Sequence, residues 1–163
     1  MAEPTTGTAT APVTAPLVLL TLPEAAALLA DTPPENSRGF LGTDPVTQNQ
    51  ALLAAELTAA RAQVYRCGQD LYGYLPNPDQ PRLAQVASTG ADPGALRGFL
   101  DFLATYRRCD SYLAMLPEGA APAPAFAGCG FHQVGVLREH VYQSGRYRDV
   151  LVHYANREEP WPS

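Results

Sequence analysis

Residues 128–154 read "GCGFHQVGVLREHVYQSGRYRDVLVHY". Two long runs, "HQVGVLREHVYQ" and "RYRDVLVHYA", are rich in β-branched and aromatic residues and are separated by Ser144-Gly145. That pattern predicts an antiparallel hairpin with a tight turn. Strand alternation sends Arg138, His140 and Tyr142 to one face and Glu139 and Val141 to the other. Arg138 and Asp149 then face each other across the hairpin as an ion pair.

Working back from the hairpin, "PEGAAPAPAFAGCGF" (117–131) is helix-like only in part, because Pro122 and Pro124 remove backbone donors. "SYLAML" (111–116) reads as a buried strand. Before it, Leu96, Phe99, Leu100, Leu103 and Tyr106 recur at three- and four-residue steps, which is one face of a helix from Gly94 to about Arg108. "AQVYRC", "LYGYL" and "RLAQVAS" are short strand-like runs, the first two forming a hairpin and the third its neighbour. Asp44 as N-cap and Pro45 at the first helical position predict a helix over 44–62. "PPENSRGFLGT" (33–43) reads as a loop, while "PLVLLTL" (16–22) and "PEAAALLADT" (23–32) read as a strand and a helix. The fold class is therefore α/β, layered about one mixed sheet.

With 163 residues the chain suits one domain, here 17–155, with tails at 1–16 and 156–163. The first 16 residues, "MAEPTTGTATAPVTAP", lack the basic flank and apolar core of a signal peptide, and no apolar run is long enough to span a membrane. A net charge of −5 argues against a nucleic-acid partner, since phosphate binding draws on clustered Lys and Arg. The arginines that exist, Arg107, Arg108, Arg138, Arg146 and Arg148, allow a local anion site at most. Cys67, Cys109 and Cys129 form no close pair and have no histidine at metal-ligand spacing, which suggests reduced thiols, a cytoplasmic location and no metal.

The hairpin segment resembles the closing segment of the GNAT N-acyltransferases, in the ribosomal-protein-acetylating and phosphinothricin-acetylating branches. Gly130, Phe131, Val134, Gly135, Leu137, Arg138, Glu139, Gly145, Asp149 and Val150 carry the match. The resemblance implies a mostly antiparallel central sheet flanked by helices, with strands 4 and 5 splayed so that the pantetheine arm of acetyl-CoA, or of another phosphopantetheine thioester, lies between them. An amine then attacks the thioester directly, helped by a base, oxyanion donors and an acid for the thiolate. The implied donor-binding residues are Val86, Ala87, Ser88, Thr89, Gly90, Ala91, Gly94, Ala95 and Phe126. Glu139 and His140 are the catalytic candidates, with Tyr72, Tyr74 and Tyr142 against the acceptor. The expected acceptor is a small-molecule or peptide amine. An acyl carrier protein and a second copy of the chain, as a homodimer, are further candidate partners.

Three departures from the family pattern stand out. In "ASTGADPGALRGFL" (87–100), the family's Q/R-x-x-G-x-G/A motif falls on Ser88 to Pro93, with Ala91 and Pro93 at glycine positions. Proline has no N–H for a phosphate, and Asp92 reads as a cap that fills the helix start with its own carboxylate. Phe126 stands where the family's general acid is commonly Tyr. Two functions therefore compete: acyl transfer, and a GNAT-like binding or subunit-interaction module that transfers nothing. An open groove between the splayed strands favours the first and a groove plugged by side chains the second.

Overall fold

The structure is a computed structural model that describes residues 15–157. The tails expected at either end therefore lie mostly outside the described residues. β1 keeps only Val18–Leu19 of the expected first strand, and α1 spans Leu22–Asp31. Thr21 and Glu24 close a reciprocal capping box at its start, the Glu24 carboxylate accepting from the Thr21 amide at 2.9 Å.

The loop at 33–43 is more ordered than its prolines and glycines suggest. It holds a one-turn helix, α2 (Pro34–Ser37), and a 3-10 turn at Phe40–Gly42. The helix predicted to start at Asp44 starts later: α3 spans Gln50–Ala59, with the Asn49 side chain accepting the Leu52 amide at 2.8 Å. Asp44 caps only an isolated turn, accepting from the Val46 amide and the Thr47 hydroxyl. β-branched Val46 and Thr47 weaken helix there, and Asn49 offers a cap adjoining the buried pair Leu53 and Leu57.

β2 (Gln63–Cys67), β3 (Asp70–Pro76) and β4 (Leu83–Ser88) match the three short runs. α4 (Pro93–Tyr106), β5 (Ser111–Pro117) and a short α5 (Ala123–Gly128) follow. The hairpin is β6 (His132–Gln143) and β7 (Arg146–Asn156). Ser144 and Gly145 take φ of 53° and 81°, the left-handed pair that matches the twist of the flanking strands. Asn156, expected to fray, pairs with Ser111 in the sheet.

The seven strands make one sheet in the order β1-β2-β3-β4-β5-β7-β6, antiparallel everywhere except between β4 and β5. One face is covered by α4 and α5. There Leu96, Phe99, Leu100 and Leu103 of α4 meet Tyr72, Tyr112 and Ala114, and the Tyr72 and Phe99 rings lie 5.3 Å apart. The other face is covered by α1, α3 and the 3-10 turn, through Leu29, Leu53, Leu57, Phe40 and Leu41. Each large side chain so buried contributes about 1.5–3 kcal/mol relative to exposure. Gly73 on β3 is where the 3-10 turn comes closest. A Cβ there would stand 2.6 Å from Leu41 Cδ1 and 2.9 Å from Phe40 Cε1. No helix among the described residues is long and apolar enough to cross a membrane, and none of the three cysteines is in a disulfide.

Candidate functional site

β4 and β5 pair only through Leu83–Gln85 and Ser111–Leu113. Beyond that point β4 continues beside β3 through Val86, Ala87 and Ser88, and β5 continues beside β7 as far as Pro117. The two strands thus part, as the resemblance implied, and each presents a backbone edge without a strand partner.

The segment carrying α2 and the 3-10 turn crosses this opening. Asn36 Nδ2 donates to the Thr89 carbonyl at the end of β4 at 2.7 Å, and the Ala121 amide after β5 donates to the Glu35 carbonyl at 2.9 Å. Gly39 sits on the Pro117 ring, so close that a Cβ would lie 2.8 Å from it, and its φ of 77° suits glycine. Beneath this strap the free space is about 10 Å³, lined by Ala87, Ser88, Met115, Leu116, Ala120 and Pro122 with the strap itself. That is room for one water at most.

The loop from β4 into α4 is the place where the fold family would hold the diphosphate of CoA. Its amides are largely spoken for. Thr89 N donates to the Leu71 carbonyl, Gly90 N to Ser88 Oγ at 3.0 Å, and Gly94 N to Asp92 Oδ1 at 3.0 Å, while Pro93 has none. Asp92 is thus the self-cap its sequence indicated. Asp70, the first residue of β3, brings a second carboxylate against Gly90, so tightly that a Cβ on Gly90 would collide with it. A carboxylate about 4 Å from a phosphate oxygen costs about 1 kcal/mol in water and about 4 kcal/mol at a protein surface. A helix N-terminus returns only about 0.3–1 kcal/mol. On the far side, Gly128 of α5 lies against the Pro93 ring and Cys129 Sγ donates to the Pro93 carbonyl at 3.2 Å, so the two helix ends touch. These residues do not fit a diphosphate.

Burial, with the nearby charge of Asp92, pushes the Asp70 pKa up. Between the ordinary Asp value of about 3.9 and this raised value the folded protein holds more protons than the unfolded chain. Stability therefore falls as pH rises through that window, and the deficit persists above it. Asp70→Asn is accordingly expected to melt higher than the wild type at pH 7, with the gap closing below about pH 3.5. Thermal scans across pH check this; an unchanged or lower midpoint at pH 7 would contradict it.

On the opposite side of the strap a cleft of about 250 Å³ opens between the 3-10 turn, β5 and the hairpin. His140, Val141 and Tyr142 line it together with Met115, Asp44 and Val150. Simple alternation would have put Val141 on the far face from His140 and Tyr142. Instead β6 bulges between Leu137 and Val141, where Glu139 takes a φ of 47° and the alternation is lost. Asp149 holds the bulge, accepting from Arg138 Nη1 at 2.8 Å and from the Glu139 amide at 2.9 Å. The amide bond, followed by the Arg138 contact, keeps the Asp149 pKa low. Arg138 and Asp149 are therefore an ion pair across the hairpin, as expected.

The sequence-predicted residues divide into three groups. His140 and Tyr142 share the cleft, whereas Glu139 is exposed and absent from its lining. Tyr72 and Tyr74, expected beside the acceptor, are instead buried on the α4 face, since their places on β3 alternate with Leu71 and Gly73, which face the 3-10 turn and α1. Of the donor set, Ala87 and Ser88 line the small gap, while Val86 packs beneath α4 and Ala95 against the same cluster. Thr89 and Gly90 are buried in the loop, and Ala91 and Gly94 are exposed on it. Phe126, expected against the donor, is 1% exposed and T-stacked on Phe131 at 5.1 Å, within the core cluster under α4. Asn36, Arg38, Met115 and Asp70 were not anticipated. Only Asp70 left a trace, as a turn residue in "GQD".

No protein-family profile matches the sequence, and no curated protein matches it. Solved structures do match in fold. Spermidine N-acetyltransferase from Vibrio cholerae, in complex with CoA and spermine, is similar at 17% identity over 88% of this chain and 96% of that one, with a TM-score of 0.64. RimJ from Mycobacterium smegmatis, in complex with CoA-disulfide, is similar at 18% identity over 90% and 84%, with a TM-score of 0.63. The ribosomal-protein-S5-alanine acetyltransferase from Vibrio fischeri is similar at 15% identity over 90% and 94%, with a TM-score of 0.57. Agreement over nearly the whole chain, together with the parting of β4 from β5, gives this protein the fold of the GNAT N-acetyltransferases.

Proposed function

We propose that the chain transfers an acyl group from a phosphopantetheine thioester to a small-molecule or peptide amine, and that its donor does not rely on a diphosphate cradle. An arm borne on an acyl carrier protein meets that condition, since it carries one phosphate rather than a diphosphate and adenosine. The observation that carries this reading is the pair of strand edges beyond Gln85 and Leu113, whose backbone groups lack strand partners. Amides of an extended arm would satisfy them. The amine then enters the cleft beside Tyr142, with His140 as the base that takes its proton. For the arm to seat, the strap must lift, breaking the Asn36–Thr89 and Ala121–Glu35 hydrogen bonds. A cytoplasmic setting remains the expectation from three unbridged cysteines.

A second reading, a binding module that transfers nothing, is favoured by the 10 Å³ gap itself. Mass spectrometry of amine acceptors incubated with acetyl-CoA, or with an acetylated carrier protein, separates the two. Product from the carrier supports transfer, and no product from either donor supports the module.

Calorimetry tests the loop independently. Free acetyl-CoA is expected to bind with a Kd weaker than about 10 µM, or about −7 kcal/mol. Replacing Asp92 and Pro93 together by glycine should tighten it about tenfold, a gain of about 1.4 kcal/mol. A tight wild-type complex would overturn the argument from the occupied cradle.

A further inference from the structure

At the C-terminal end of β5 a pocket of about 260 Å³ lies between the strap and the tip of the hairpin. Arg38 lines it from the strap and Arg148 from β7, with Gln143 and Ser144 of the hairpin turn beside them. We propose that this pocket binds a single phosphate ester group, clasped between the two guanidinium groups.

Neither arginine is completed by the protein. The Arg38 side chain is 20% exposed, and its Nε is buried without a hydrogen-bond partner, with Asp44 Oδ1 4.0 Å away. Its Nη1 reaches only Ser144 Oγ, at 3.4 Å. A buried guanidinium N–H left unpaired is costly until an acceptor meets it. Arg148, half-buried and opposite Val141 in the hairpin, makes no ion pair or side-chain hydrogen bond among the described residues. Glu35 and Glu118 also line the pocket, but both are exposed, and no ion pair among the described residues joins them to either arginine. Water screens such carboxylates more than it screens the half-buried guanidinium groups.

The donors stand on two walls. A carboxylate holds its oxygens in one plane and suits one arginine fork. A phosphate ester points its free oxygens apart, so each fork can take its own, and the Ser144 hydroxyl and Gln143 carboxamide can share them. The pocket is separate from the loop that Asp92 and Pro93 fill. It borders the closed gap between β4 and β5, with which it shares Arg38 and Ala120. A carrier-borne pantetheine arm would supply such a phosphate, and so would a free phosphate ester. The site itself does not depend on acyl transfer.

Calorimetry on the full chain is expected to show 4′-phosphopantetheine binding at least about tenfold more tightly than pantetheine, which lacks only the phosphate. Arg148→Gln should erase that difference and leave pantetheine unchanged, whereas Arg146→Gln, on the same strand but outside the lining, should cost less than about threefold. Phenyl phosphate identifies the source. Weaker binding than phosphopantetheine, still dependent on Arg148, assigns the pocket to the arm; equal binding assigns it to a free ester. The proposal is overturned if Arg148→Gln binds both phosphates as well as the wild type, or if Arg146→Gln costs as much as Arg148→Gln. Arg148-dependent phosphate binding without transfer to any amine would sink the acyl-transfer reading alone.

Discussion

Acyl transfer by His140→Gln is expected to run about 10²–10⁴-fold slower than by the wild type, the usual range for removing a positioned general base. The expectation rests on geometry. The amine of an acceptor reaches pH 7 as an ammonium and must lose a proton before it attacks a thioester. Imidazole is the side chain suited to exchanging protons near neutral pH. Within the cleft formed by the 3-10 turn, β5 and the hairpin, His140 is the lining residue that carries one. Asp44 also lines it, but its carboxylate oxygens already accept from the Val46 amide and the Thr47 hydroxyl, and Arg38 Nε stands 4.0 Å away. The loss should fall on kcat with KM little changed, since glutamine keeps a polar side chain in the cleft wall. Glu139→Gln is the matched control and should stay within about threefold, because that side chain is exposed and outside the cleft lining while its amide remains bound to Asp149. Equal losses for both variants would mean that the bulge, rather than the imidazole, sets the rate.

That contrast between neighbours shows what a sequence discloses about such a site. The hairpin, the self-capped start of α4 and the run of strands were legible because each depends on local chemistry: alternation, a Ser-Gly turn, an Asp-Pro cap. The bulge was not, since it arises where Asp149 on one strand captures an amide on the other, and alternation alone cannot foresee an inserted residue. Asp70 was hidden for a similar reason. Nothing near it in the chain says that the aspartate opening β3 folds onto Gly90, a contact between segments brought together by the pairing of β3 with β4. The strap reads as loop because its order is tertiary: Leu41 takes a left-handed φ of 49° and is held there by burial with Phe40 over Gly73. Tyr72 and Tyr74 are buried on the α4 face, which period 2 alone could not foretell, since it tells which residues share a face and not which face is covered.

Phe126→Ala is expected to destabilise the protein by about 3–5 kcal/mol, the cost of emptying a well-packed phenyl site. Against a total stability of about 5–15 kcal/mol this is a large share. At about 2–4 °C per kcal/mol for a chain of this size, the melting midpoint should fall by about 6–20 °C. Urea unfolding should show a lower midpoint at unchanged slope if the native fold is kept. The ring is 1% exposed, meets Phe131 edge-on with centroids 5.1 Å apart, and belongs to the cluster that joins α5 to α4 and the sheet. α5 is six residues long and has no side-chain cap at its start, so it cannot hold itself as a helix and depends on this anchor. Phe126→Tyr separates packing from chemistry. Its added hydroxyl would enter an apolar site, with an expected cost of about 1–3 kcal/mol if it finds no partner, and transfer should not quicken, because the ring is buried in the core cluster. A loss below about 1 kcal/mol for Phe126→Ala, or faster transfer by Phe126→Tyr, would instead place this ring at the donor, where the family resemblance first put it.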